Sequence, residues 1–190
     1  DSTYFLPINQ GTSGAGFDGE KGNPPGVDYP VEHLWKTILQ KDSLVDIINK
    51  FLHLEKKDDI VLDNYGNEKT VTKERIIFPR YHQLDAVRKL VSDVKANGTG
   101  KNYLIQHSAG SGKSNSIAWV AYRLASLFDE RNNPILDSVI VVTDRRVLDA
   151  QLQETISGFD HQIGSVCVIN KDMHASDLRD ALNDGKRLIV

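Results

Sequence analysis

The sequence predicts an α/β fold, a parallel sheet with flanking helices, over the C-terminal part of the chain, preceded by a mainly helical or irregular connecting segment. Three observations carry that expectation. From about residue 80 onward, apolar runs of strand length alternate with stretches of helical spacing, and parallel β-α-β units are the economical way to connect that order. Val139-Ile140-Val141-Val142 is nearly all β-branched, as suits a strand covered by helices on both faces. The third is the run Tyr103-Leu104-Ile105, which leads through a Gly/Ser-rich turn into Gly112-Lys113-Ser114 and then a helical apolar stripe.

Taken in order, residues 11–26 hold six glycines and two prolines and so offer no continuous apolar face; they read as a linker or long exposed loop. Val31, Leu34, Trp35, Ile38 and Leu39 make the stripe of one short helix. Leu44, Ile47, Ile48, Phe51 and Leu52 make that of a second, with Asp42 or Ser43 as its cap. Residues 58–78 read as strands around an Asn64–Asn67 turn. A helix over 81–96 stops at Asn97-Gly98. Then follow strand 102–106, loop 107–111, helix 112–129, strand 138–143, helix 145–156, strand 165–169, helix 176–183 and strand 187–190.

Bulk properties narrow the class. The 190 residues are 39% hydrophobic and 26% charged, ordinary for a globular protein, and suggest one or two domains. A formal charge of −3 advertises no global basic field, so any nucleic-acid contact must come from local patches. The single cysteine, Cys167, rules out a disulfide framework within the chain and points to a reducing, cytoplasmic setting, where it reads as a core residue of its strand. No apolar run approaches the ~18 residues of a membrane span, and the first residues lack the basic start and apolar middle of a signal peptide. With no initiator Met and a last segment that reads as a buried strand, the sequence is expected to be an excised part of a larger protein.

The chemistry concentrates at residues 107–115. Gly110 and Gly112 let the backbone turn with its N–H groups inward, since no Cβ blocks the approach. The helix that follows adds the positive end of its dipole. This is a phosphate loop (P-loop), although His107 stands where the usual pattern has its first glycine. The expected nucleoside triphosphate site comprises Ser108, Ala109, Gly110, Ser111, Gly112, Lys113, Ser114 and Asn115. Lys113 is the candidate catalytic residue, reaching the β- and γ-phosphates, and the Ser114 hydroxyl is the candidate Mg²⁺ ligand.

Upstream, "FPRYHQ" heads the preceding helix. A side-chain amide can pair with adenine's donor and acceptor edge, so Gln83 is the candidate adenine reader, with Arg80 and Tyr81 lining the base; the nucleotide expected is ATP. Downstream, Arg145 and Arg146 fall in the first turn of a helix, where cations oppose the dipole. A DNA phosphate backbone would supply a reason for them, as would a salt bridge to another part of the protein. His82, His107, His161 and His174 show no metal-ligand spacing with Cys or carboxylates, His107 being a candidate to touch the nucleotide; Trp35 and Trp119 read as packing residues.

The stretches "DSTYFLPINQG", "LWKTILQKDSLVDIINKFLHLE", "IIFPRYHQLDAVRKL", "QHSAGSGKSNSIAW" and "VVTDRRVLDAQL" together resemble the R subunit of type I restriction enzymes. The resemblance implies a nuclease domain followed by two RecA-like motor domains of helicase superfamily 2, which pull duplex DNA at the expense of ATP and Mg²⁺ without separating the strands. It implies partner subunits for methylation and specificity, and DNA cleavage far from the recognised site. Residues 1–70 would be the end of the nuclease domain and its connector. Residues 71–190 would be the N-terminal part of the first RecA-like motor domain. The family's nuclease residues would lie upstream, and its Asp-Glu box and arginine finger downstream, so this part alone is expected to hydrolyse at background rate.

Rivals share the loop. A GTPase needs an Asn-Lys-x-Asp guanine reader, and in Asn170-Lys171-Asp172 the acid comes one residue early. In a kinase-like order Asp144 would be the Mg²⁺ acid, against which Thr143 and Arg145-Arg146 argue. Another superfamily 2 DNA-dependent ATPase, or a non-catalytic nucleotide-binding fragment, stands as the alternative.

Overall fold

The structure, a computed structural model, describes residues 28–29, 32–62, 66–144, 146–158, 166–169 and 173–190. The glycine-rich stretch 11–26 and the Asn170–Asp172 segment lie outside them. The chain divides into two compact units that part between Pro79 and Arg80.

The first unit opens with a π-helical turn, Leu34–Ile38, and a helix α1, Lys41–Lys50. Ile38, Ile47 and Phe51 are buried, while Trp35 and Ile48 from the same stripes stay half exposed. Trp35 packs edge-on against Tyr29, with ring centroids 5.9 Å apart. Helix α1 starts at Lys41, ahead of both expected caps: Gln40 is its N-cap, Asp42 sits in the first turn where the dipole favours it, and Ser43 also lies inside the helix. Strands β1 (His53–Leu62) and β2 (Glu68–Ile77) then form an antiparallel hairpin, His53 opposite Ile77 and Leu62 opposite Glu68. β1 starts five residues earlier than the sequence suggested, because the full length of β2 offers it a ladder. Cross-strand charge pairs run along the ribbon: Lys56–Glu74, Lys73–Asp59 and Arg75–Glu55, each at 2.7 Å. Solvent-exposed pairs of this kind contribute at most about 1 kcal/mol each. Residue 71, the expected domain boundary, falls inside β2.

From Lys113 onward the second unit alternates helix and strand as expected, but among the described residues no strand separates its first two helices. Helix α2 (Tyr81–Asn97) buries Leu84, Val87, Val91 and Val94, one face at helical spacing, and ends at Gly98 with φ +72°. Helix α3 (Lys113–Ala125) buries Ala118, Trp119, Ala121, Tyr122 and Ala125. β3 (Val139–Ile140), α4 (Arg146–Gly158), β4 (Val166–Cys167), α5 (Ala175–Asn183) and β5 (Leu188–Ile189) follow. The strands form a parallel sheet in the order β3-β5-β4, with Val139 and Val166 both opposite Leu188. The core joins α3 and α4 to this sheet through Ala118, Ala121, Tyr122, Leu152, Ile156 and Leu188. Tyr122 also donates its hydroxyl hydrogen to the Ile156 carbonyl at 2.7 Å.

Two expectations are corrected here. Residues 102–106 are not a strand: the segment has no regular structure, and Leu104 is 92% exposed. Apolar residues make a strand only with a ladder partner, and among the described residues none pairs with this segment. The helix expected over 112–129 ends at Ala125. Beyond it the Asp129 carboxylate accepts the N–H groups of Arg131 (2.8 Å) and Asn133 (2.7 Å), which builds a turn instead of a further helical turn. Arg187 donates to the Ala125 carbonyl at 2.7 Å and so completes the helix end. Among the described residues no helix is long and apolar enough to cross a membrane.

Candidate functional site

The site is built where α2 and α3 begin. Gly110 (φ +71°) and Gly112 (φ +81°) both occupy left-handed backbone, the conformation glycine adopts without strain. They turn the loop sharply into α3, whose first N–H groups have no intrahelical acceptor. The Ser111 side chain is buried, and its Oγ has no hydrogen-bond partner. Lys113 is exposed and folds back over the loop, its Nζ donating to the Ser108 carbonyl at 2.8 Å and the His107 carbonyl at 3.3 Å. Ser108, Ala109 and Gly110 are exposed, whereas Ser114 and Asn115 are half-buried in the first turn of α3.

The first turn of α2 holds this loop from behind. Arg80 is exposed at the N-cap, and its N–H donates to Gln83 Oε1 at 2.9 Å. Gln83 Nε2 donates to the Gly112 carbonyl at 2.8 Å, and the side chain is buried. His82 Nε2 lies 3.0 Å from the Ser111 carbonyl. Its ring meets that of His107 edge-on, with centroids 4.7 Å apart. Burial, then the neighbouring His82 and Lys113, push the His107 pKa below the usual histidine value. Tyr81 is half-buried, and burial followed by the nearby Asp85 carboxylate pushes its phenol upward.

Beside the loop an apolar cavity of about 450 Å³ is lined by Ile105, His107, Lys113, Ile117, Val139 and Val142, among others. Its walls suit hydrocarbon, and His107 and Lys113, at the two ends of the turn, line it. The structure thus brings Gln83 onto the loop through the Gly112 carbonyl, while Arg80 and Tyr81 stand next to it at the start of α2. It does not extend this to the arginines: Arg145 lies outside the described residues, and Arg146 opens α4 with its side chain outside them too. Nothing in the local pattern singles out His82. Its one signal was adjacency to Gln83 in "FPRYHQ", which acquires meaning only when α2 lies behind the loop.

The SWI2/SNF2 ATPase family matches residues 82–190. The chain belongs to the SWI2/SNF2 ATPase family. The chain is 31% identical over 130 residues to the type I restriction enzyme HindI endonuclease subunit of Haemophilus influenzae, covering 68% of this chain and 11% of that protein. It is 35% identical over 121 residues to a protein named as the type I restriction enzyme MjaVIIP endonuclease subunit of Methanocaldococcus jannaschii, covering 62% of this chain and 10% of that one. The chain therefore spans about a tenth of the length of these curated relatives. No solved structure matches it. The likeness to type I restriction endonuclease subunits, read first from the motifs, is present in these alignments, and the mixed helix-and-strand second unit is compatible with a helicase-like α/β fold.

Proposed function

We propose that this SWI2/SNF2 ATPase binds ATP at the turn 108–115 and is the nucleotide-binding part of a type I restriction endonuclease R subunit, in which ATP hydrolysis drives translocation along duplex DNA before cleavage. The observation that carries the reading is the turn itself: two glycines in left-handed backbone lead directly into the start of α3, whose first N–H groups are unpaired within the helix. That is a donor set for an anion. Lys113 would exchange its bonds to the Ser108 and His107 carbonyls for bonds to the β- and γ-phosphates. A P-loop in a RecA-like parallel sheet is the finer form of the fold we assign to the second unit; because a boundary at residue 71 would cut β2, the first part of the motor domain is proposed to begin at Arg80, and the residues before it to be the end of the nuclease domain and its connector.

Among the described residues no cluster of three His, Cys, Asp or Glu side chains is positioned to hold a metal ion. The half-buried Ser114 hydroxyl, together with the nucleotide's own phosphate oxygens, would be the donor set for Mg²⁺. This fits a hard cation that keeps few protein ligands. When bound, Mg²⁺ would neutralise charge on the transferring phosphate.

For the base, Gln83 uses one amide hydrogen on Gly112 and one Oε1 lone pair on the Arg80 N–H. One donor and one acceptor remain, but the side chain is buried, so pairing with an adenine edge would require the Gln83 amide to turn out from behind the loop. Arg80 and Tyr81 flank it. Duplex DNA and the methylation and specificity subunits are proposed as partners from the relatives' names, with Arg145 and Arg146 as the proposed backbone contacts. The deciding experiment is calorimetric titration of Mg-ATP into the chain. Saturable binding that Lys113→Ala weakens is expected. No binding by the unaltered chain, or equal binding by the variant, would overturn the reading.

A further inference from the structure

We infer that His82 is a positioning residue that sets the orientation of the Ser111–Gly112 peptide and so aims the Gly112 N–H into the cradle. This rests on the nucleotide-binding reading above and adds a residue to it. The Ser111 carbonyl can only accept, so the 3.0 Å contact requires a hydrogen on His82 Nε2. In a trans peptide the carbonyl of one residue and the N–H of the next point in opposite directions. A Ser111 carbonyl held toward α2 therefore sends the Gly112 N–H away from α2, to the face where the phosphates are to lie.

Without that bond the orientation is weakly specified. Flipping the peptide changes ψ of Ser111 and φ of Gly112, and glycine accepts φ of either sign. The freedom that lets Gly112 take φ +81° also lets it leave. The neighbouring clamp, Gln83 on the Gly112 carbonyl, fixes the next peptide, which the start of α3 already orients through the Ser116 N–H at 3.2 Å. His82 acts on the one peptide that the helix does not govern. The edge-on contact with His107 holds the His82 ring in place for it.

The test uses the full chain, calorimetric titration of Mg-ATP and of inorganic tripolyphosphate, and two variants. His82→Phe keeps a ring against His107 and removes the N–H; His82→Gln supplies an amide N–H at similar reach. His82→Phe is expected to weaken both ligands by the same factor, about tenfold as for one lost hydrogen bond, and His82→Gln to restore most of it. A loss confined to ATP would assign His82 to the base and overturn the inference. So would His82→Phe binding like the unaltered chain, or His82→Gln failing as badly as His82→Phe. Absence of ATP binding by the unaltered chain overturns the nucleotide reading itself. If His82→Phe does not fold, long-range ¹H–¹⁵N spectra of the unaltered chain decide. The Nε2–H tautomer of His82 is required, and the Nδ1–H tautomer sinks the inference.

Discussion

Gln83 Nε2 donates to the Gly112 carbonyl at 2.8 Å, and a Cβ placed on Gly112 would lie 2.6 Å from that same nitrogen. The glycine is thus required twice, once for φ +81° and once for the closeness of the amide behind it. Gly110, at φ +71°, has open space where its Cβ would go. Alanine at either position meets left-handed backbone, at a cost of about 1–3 kcal/mol. Only Gly112→Ala also pushes on a buried side chain already bonded at both ends. Urea unfolding should show Gly112→Ala as the more destabilised variant. Equal losses at the two glycines would mean that Gln83 moves aside freely.

Lys113→Ala separates function from stability. The ammonium group is exposed, and its bonds go to loop carbonyls that water can reach. Removing it should leave the unfolding midpoint within the range of a surface substitution, about 0.5 kcal/mol. Affinity for Mg-ATP should fall about tenfold to hundredfold, as expected for charge-assisted hydrogen bonds to phosphate. Unchanged affinity would place the triphosphate elsewhere.

The sequence made the loop legible because glycine, lysine and serine at fixed spacing report backbone geometry and charge directly, and φ at Gly110 and Gly112 agrees. Helix α2 was legible from one apolar face and a glycine stop. Residues 102–106 were not, since a strand is a relationship between two segments and only one was in view. The β1–β2 hairpin was read too short because the charged His53–Lys57 stretch carries no strand signal; its pairing is provided by β2. The doubly bonded state of Gln83 and the part played by His82 were hidden for a similar reason. Both contacts join residues 29 positions apart, which no local pattern encodes.

Gln83→Ala should discriminate between nucleotides. The substitution loosens the Gly112 carbonyl for any triphosphate, so both ATP and GTP are expected to weaken somewhat. Only ATP also loses the donor–acceptor pair on its base, worth about 1–3 kcal/mol for a bidentate contact. The ratio of ATP to GTP affinity, measured by competition, should therefore fall by about fivefold or more. A ratio unmoved by the substitution would remove Gln83 as the base reader while leaving its role behind the loop intact.

The last prediction concerns pH. His53 is held below the usual histidine pKa, first by burial, with the Phe51 carbonyl working against the shift; His107 is held below it by burial, His82 and Lys113. In each case the unfolded chain binds a proton near pH 6.5 that the folded chain still refuses. Stability is therefore fully present above the unfolded value and falls as pH drops through it. The loss continues to the lower folded pKa, below which both states are protonated and the curve levels. The urea midpoint should consequently be higher at pH 7.5 than at pH 5.5. His53→Gln and His107→Gln should each reduce that difference, because each removes one group that the fold keeps neutral. The lowered carboxylates, Asp93 beside Tyr103 and Lys101 and Asp129 in its turn, act in more acidic solution and do not enter this window. A midpoint that rises as pH falls from 7.5 to 5.5 would mean that these imidazoles are better accommodated charged than neutral, contrary to the burial that surrounds them.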